Sequence, residues 1–167
     1  MRMTLLLTGV FIFSVCLLIY ALVALIQNRK LLFTAPKDIQ AAAKDHPERC
    51  HGAHALGWKL VIISLFLMVG SFVYGGYDGG LHGFGFWQYW LRFSVMLYLW
   101  KVFDIICLDW LLLTKSHFFQ YYYPETSGCQ GYHQFGFNRR EQTIRIVIFP
   151  FAAALMAAAS MWMAGTL

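Results

Sequence analysis

The stretch Leu97–Leu113, "LYLWKVFDIICLDWLLL", decides how the chain is read. Nearly every side chain in it suits hydrocarbon, yet it holds Lys101, Asp104 and Asp109. An apolar helix with no polar face belongs to a large core or to a membrane. Composition favours the membrane. Of the 167 residues, 59% are hydrophobic and only 13% charged, which is too little charge to cover a soluble domain. Four apolar stretches, over about 4–27, 56–75, 86–114 and 142–165, account for the excess. Each reaches the roughly 20 residues that a bilayer-spanning helix needs. A backbone in lipid must satisfy its own hydrogen bonds, which favours helices over open strands. The expectation is an all-α integral membrane protein. It has four transmembrane helices in an antiparallel bundle, forming one multi-pass domain over 1–167.

The first stretch is read as a retained span. Its apolar run exceeds the roughly 7–15 residues of a signal-peptide core, and "QNRKLLF" after it resembles a stop-transfer flank. The net charge is +5, and its placement sets the orientation. The loop after span one carries Arg29, Lys30, Lys37, Lys44 and Arg49, and the loop after span three carries Lys115, Arg139 and Arg140. The loop "GGYDGGLHGFG" after span two has no Lys or Arg. By the positive-inside rule both basic loops face the cytoplasm and both termini lie outside, in a cell-membrane protein. Beside membrane spans such charges are contacts for anionic lipids rather than a nucleic-acid surface.

Within the first basic loop, Pro36, Asp38 and an alanine run predict a short cytoplasmic helix, with Ile39, Ala42 and Ala43 on one face. The glycines after span two predict a tight turn. In span four, Pro150 frees the carbonyl of Ile146 and predicts a kink. Ala153 with Ala157, or Ala154 with Ala158, supplies close helix packing within the bundle or against a second copy.

The charges in the spans are the candidate site. On a helix rising about 1.5 Å per residue, Lys101 lies close to the bilayer centre and Asp104 roughly 6–8 Å from it. A charge there costs roughly 2.5–3.5 kcal/mol. Lys101 and Asp104 are three residues apart, so they share a face and can pair. Asp109 has only Ile105, Ile106, Leu112 and Leu113 at α-helical spacing, so its partner must come from elsewhere. Lys59 at the start of span two and Arg145 at the start of span four lie at a similar depth. Lys59, Asp109 and Arg145 therefore predict a polar layer near the cytoplasmic face, with Lys101 and Asp104 deeper. Its surplus of positive charge suits a lipid-like or anionic small molecule, which the protein binds or acts on, as a carrier or as an enzyme. Arg92, nearer the outer end, is expected to reach for the interface.

Two non-enzymatic readings stand beside this one. The chain is alternatively a partner or assembly subunit of a membrane complex, with a homo-oligomer or another membrane protein as partner, or a small proton-coupled transporter relaying through Lys101 and Asp104. No Walker loop, dinucleotide fingerprint or paired-carboxylate motif indicates a reaction or a cofactor. His46, Cys50 and His54, with Cys129 and His133, form a weak zinc pattern, without CxxC or HExxH. Cys129 with His133 or His117 is a weak nucleophile and base pair. The second basic loop is rich in aromatics, among them Phe118, Phe119, Tyr121, Tyr122, Tyr123, Tyr132, Phe135 and Phe137, which are expected to sit at the interface or to cover the bundle's mouth. Cys16 and Cys107 lie inside spans, where packing is the ordinary role. No structural disulfide is expected on the cytoplasmic side.

Overall fold

The structure, a computed structural model, describes residues 1–32, 34–134 and 136–165. Phe135, one of the loop aromatics named above, lies outside the described residues. Every regular element among the described residues is helical. Helix α1 (Arg2–Tyr20) passes into a π-helix (Ala21–Ile26), and α2 (Lys37–Ala42) is short. Helices α3 (Ala53–Leu81) and α4 (Phe86–Phe103) follow, and α4 passes into a second π-helix (Asp104–Lys115). The chain ends with α5 (Phe118–Tyr122) and α6 (Arg139–Met163). Three helices, Arg2–Ile26, Ala53–Leu81 and Arg139–Met163, are long and apolar enough to cross a membrane. Their outer surfaces are apolar too: Phe66 is 76% exposed, Leu155 74% and Phe151 69%. Surfaces of that kind belong against lipid or another protein.

The chain forms two compact units. The first contains Met1–Phe13, Phe66–Val102 and the chain from Arg140 onward. The second contains Ser14–Leu65 and Phe103–Arg139.

In the first unit, Leu7, Tyr89, Phe93, Met96, Ala153 and Ala157 form the core. Ala153 and Ala157 are fully buried, so their spacing serves close packing inside this unit. The expected glycine turn is displaced. "GGYDGG" is the last part of α3, and the chain turns only after Leu81, with Gly83 at φ +65°. The glycines are needed for close approach: a Cβ at Gly79 would strike the Tyr89 ring, and one at Gly76 would lie 2.7 Å from the Ser160 hydroxyl. Tyr89 donates from its hydroxyl to the Gly76 carbonyl at 3.2 Å. Pro150 sits inside α6, and two side chains of α4 serve the backbone around it. Tyr98 donates to the Ile146 carbonyl at 3.0 Å, the group that Pro150 leaves without its helical donor. Trp90 donates from Nε1 to the Pro150 carbonyl at 3.0 Å.

Arg92 does not reach outward. Its side chain is 5% exposed, and Nη1 lies 2.7 Å from the Asp78 carboxylate. The same nitrogen donates to the Gly75 carbonyl at 2.7 Å. The guanidinium lies over the Phe84 ring, 4.4 Å from its centroid. Removing one partner of a buried pair leaves the other charge desolvated and alone. Asp78→Asn should therefore destabilise the protein by about 3–5 kcal/mol, read as a fall in melting temperature in detergent. Adding Arg92→Met should restore most of the loss. A double variant as unstable as the single one would show that the pair does not join α3 to α4.

Candidate functional site

The second unit brings the two basic loops into one folded head. Gln27 ends the first π-helix in a left-handed conformation, at φ 49°, and is 2% exposed. It donates from Nε2 to the Tyr122 carbonyl at 3.2 Å, and its own carbonyl accepts from the His46 amide at 3.2 Å. The Asp45 carboxylate accepts from the Arg29 amide at 2.8 Å. The Glu125 carboxylate accepts from the Lys44 amide at 2.8 Å and meets His46 Nε2 at 3.0 Å. Asp38, in the first turn of α2, accepts from the Gly131 amide at 2.7 Å. A side chain at Gly131 would come within 2.6 Å of Pro36, so only glycine fits that approach. Ile39, on the predicted face of α2, packs with Leu113 and Tyr132. Tyr132 and Thr126 share a hydrogen bond of 2.6 Å between their hydroxyls.

Beside the head lies an apolar groove of about 250 Å³. Cys16, Ile19 and Tyr20 line it from α1, and Cys107, Leu108 and Leu112 from the second π-helix, together with Phe103 and Phe118. The winding explains this wall. In a π-helix the hydrogen bonds run to the fifth residue, so residues four and five apart share a face. Cys107, Leu108 and Leu112 meet that condition. On an α-helix Cys107 and Leu112 would point about 140° apart. The groove runs into an aromatic and cationic chain. Phe118 packs edge-on against Tyr122 with centroids 5.2 Å apart, and the Arg49 guanidinium lies 4.9 Å above Tyr122 and 5.0 Å above Tyr121. Arg49 also donates to the Tyr121 carbonyl at 3.1 Å. Burial pushes the Tyr122 phenol up, with Tyr20 and Tyr121 adding to the rise and Arg49 opposing it. Sequence reasoning passed over Arg49 as one of several topology charges. Its position directly before Cys50 carries no signal of the aromatic pair it stacks on.

The five residues nominated by charge fall in both units. Lys59, Asp104 and Asp109 belong to the second, Lys101 and Arg145 to the first. Asp109 accepts from the Asn138 amide nitrogen at 3.4 Å, and its backbone carbonyl accepts from Thr114 at 2.9 Å. The π winding also puts Asp104 and Asp109, five apart, on one face of their helix. Lys59 is exposed. Arg145 is exposed and lies 3.7 Å from Glu141, one turn away on α6. Lys101 is 2% exposed.

The metal candidates are dispersed. His46 faces Glu125, Cys50 and His133 are exposed, and the His54 amide donates to Glu48 at 2.7 Å. Among the described residues no three His, Cys, Asp or Glu side chains gather into a metal-sized cluster. Cys129 points its thiol at the Asp38 carbonyl, 3.7 Å away. Burial, and then the Asp38 carboxylate, push that thiol up, the reverse of what an activated nucleophile needs.

No known protein family, curated protein or solved structure matches this chain.

Burial by itself raises Glu125. Its own backbone amide, the Lys44 amide and then His46 outweigh that and hold it below the usual carboxylate range. A carboxyl lowered by folding stabilises the fold above its ordinary value, and that contribution is lost as pH falls through the lowered one. The head should therefore weaken on acidification to about pH 3 relative to about pH 7. Glu125→Gln should shrink the gap between the melting temperatures at those two pH values. An unchanged gap would show that this carboxylate does not join the loops.

Proposed function

We propose that this chain is a four-span membrane protein that binds an anionic, lipid-like molecule from the side of its two basic loops. The apolar chain of the ligand lies in the groove between α1 and the second π-helix, and its head group meets Arg49. The continuous run from groove through Phe118 and Tyr122 to Arg49 carries this reading. A groove of that size is smaller than the roughly 300–1,000 Å³ pockets that enclose drug-sized ligands, so it suits a chain rather than a compact molecule. Arg presents planar donors that match a phosphate or carboxylate. Arg29, Lys30, Lys37 and Lys44, from the same loop as Arg49, give the head a positive field for an anionic amphiphile.

The helix from Phe86 to Lys115 supplies the remaining span in this reading. Its α-helical part has 18 residues, rising about 27 Å. The internal pairing of Arg92 with Asp78 lowers the cost of taking that charge into lipid. The charge asymmetry of the loops supports placing the head in the cytoplasm. Lys59, Asp104 and Asp109, in the same unit as the groove, are its candidate polar contacts. Lys101 and Arg145, in the other unit, enter only as charges whose neutralisation the same assay scores. The reading assigns binding and no reaction. The partner-subunit alternative rests on the small size of the chain and on the alanines of α6, of which Ala153 and Ala157 are buried within the first unit and Ala158 is exposed.

Fluorescence titration with a lysophosphatidic acid carrying a nitrobenzoxadiazole label tests the proposal. The protein in detergent should bind it. Leu112→Trp, which fills the groove, should abolish binding. Arg49→Ala should weaken it by about tenfold or more, as expected for a charged hydrogen bond of about 1.5–3 kcal/mol. Undiminished binding to the Leu112→Trp variant, or equal affinity for an uncharged monoacylglycerol with the same label, contradicts the reading.

A further inference from the structure

Two of the groove's lining residues have a chemistry that apolar binding does not use. Cys16 comes from α1 and Cys107 from the second π-helix, 91 positions later. Both line the same groove, both are partly exposed, and both are free thiols. Packing, the ordinary role of a thiol inside a span, does not describe side chains that border open space. A monovalent soft ion such as Cu(I), held by two thiolates, would leave a net charge on this apolar wall, which is costly. A disulfide is uncharged and removes two weakly polar S–H groups.

We propose that Cys16 and Cys107 form a redox-sensitive pair whose disulfide closes the groove. This rests on the groove being the ligand site. The oxidant is an organic hydroperoxide, the class that forms on lipid chains and partitions into an apolar groove. The Cys107 sulfur attacks the outer peroxide oxygen. The O–O bond breaks, the alcohol leaves with a proton, and the cysteine becomes a sulfenic acid. The second sulfur then displaces that hydroxyl as water and forms the S–S bond. In total two thiols are oxidised by two electrons, and one hydroperoxide is reduced to an alcohol and water. The bond ties α1 to the second π-helix and fills the space between Ile19 and Leu108 that a ligand chain requires. Reduction by a dithiol reopens it.

The test treats the full-length protein in detergent with cumene hydroperoxide, removes the oxidant, and reads two quantities. Non-reducing peptide mapping should show a Cys16–Cys107 crosslink with the loss of two hydrogens, absent from Cys16→Ser and from Cys107→Ser. Binding of the labelled lysophosphatidic acid should be lost in the oxidised wild type and regained after reduction, whereas the affinity of each serine variant, whatever its starting value, should be the same before and after the oxidant. Two results overturn the inference: oxidation confined to the exposed Cys50 or to Cys129, and a crosslink that leaves binding unchanged. A reduced wild type that never binds the lipid removes the binding reading and the closure with it, while the peptide map still decides the crosslink.

Discussion

A charge carried into an apolar helix needs its counter-charge inside the protein, because hydrocarbon supplies neither water nor ions. Arg92 and Asp78 answer that constraint in the first unit. Their contact at 2.7 Å joins α3 to α4, and the Gly75 carbonyl and the Phe84 face complete the surroundings of the guanidinium. The pair depends on close approach of the two helices, and the glycines of "GGYDGG" provide it. Gly79 leaves room for Tyr89 and Gly76 for Ser160, so the ring and the hydroxyl reach the backbone of α3. Pro150, inside α6, imposes the same kind of demand on the backbone, and Tyr98 and Trp90 meet it from α4. The Arg92 charge and the carbonyl that Pro150 frees are thus each served by a neighbour on another helix.

The second unit solves a different problem. Two loops that together hold most of the chain's cations fold onto each other through carboxylates that accept from backbone amides, Glu125 from Lys44 and Asp38 from Gly131, while Asp45 accepts from Arg29 within the first loop. These bonds satisfy the carboxylates and fix the loops, and Arg49 stacks on Tyr121 and Tyr122. The π winding below this head changes which side chains share a face. It sets Cys107, Leu108 and Leu112 along one wall and opens space beside α1. π-helical turns are uncommon and concentrate where function needs an altered register. Here that register turns a run of leucines into a groove.

Much of the fold is legible from residue pattern. Length and apolarity locate the long helices to within a few residues except at the end of α3, which continues through the glycine cluster to Leu81, and Pro36 with Asp38 marks α2. The glycine cluster misleads because glycine signals both a turn and a close helix contact. Only the partners, Tyr89 and Ser160, distinguish the two, and they are distant in sequence. Arg92 misleads for a related reason: its counter-charge Asp78 looks like part of a loop once the glycines are read as a turn. The site is less legible than the fold. An apolar run without a polar stripe gives no hint that its winding departs from 3.6 residues per turn, so α-helical spacing misplaces the neighbours of Asp109. Arg49, Tyr122 and the Cys16–Cys107 pair come together only through contacts between elements, which spacing along one chain does not encode.

The central claim is that the groove and the head form one site for an anionic amphiphile. Native mass spectrometry of the chain released from mild detergent addresses it most directly, because it weighs whatever the protein retains. The account predicts an adduct with the mass of an anionic lipid on the wild type, and none on a variant with Ile19→Trp in the groove. A bare wild-type chain, or one held only by a foreign protein, would contradict it.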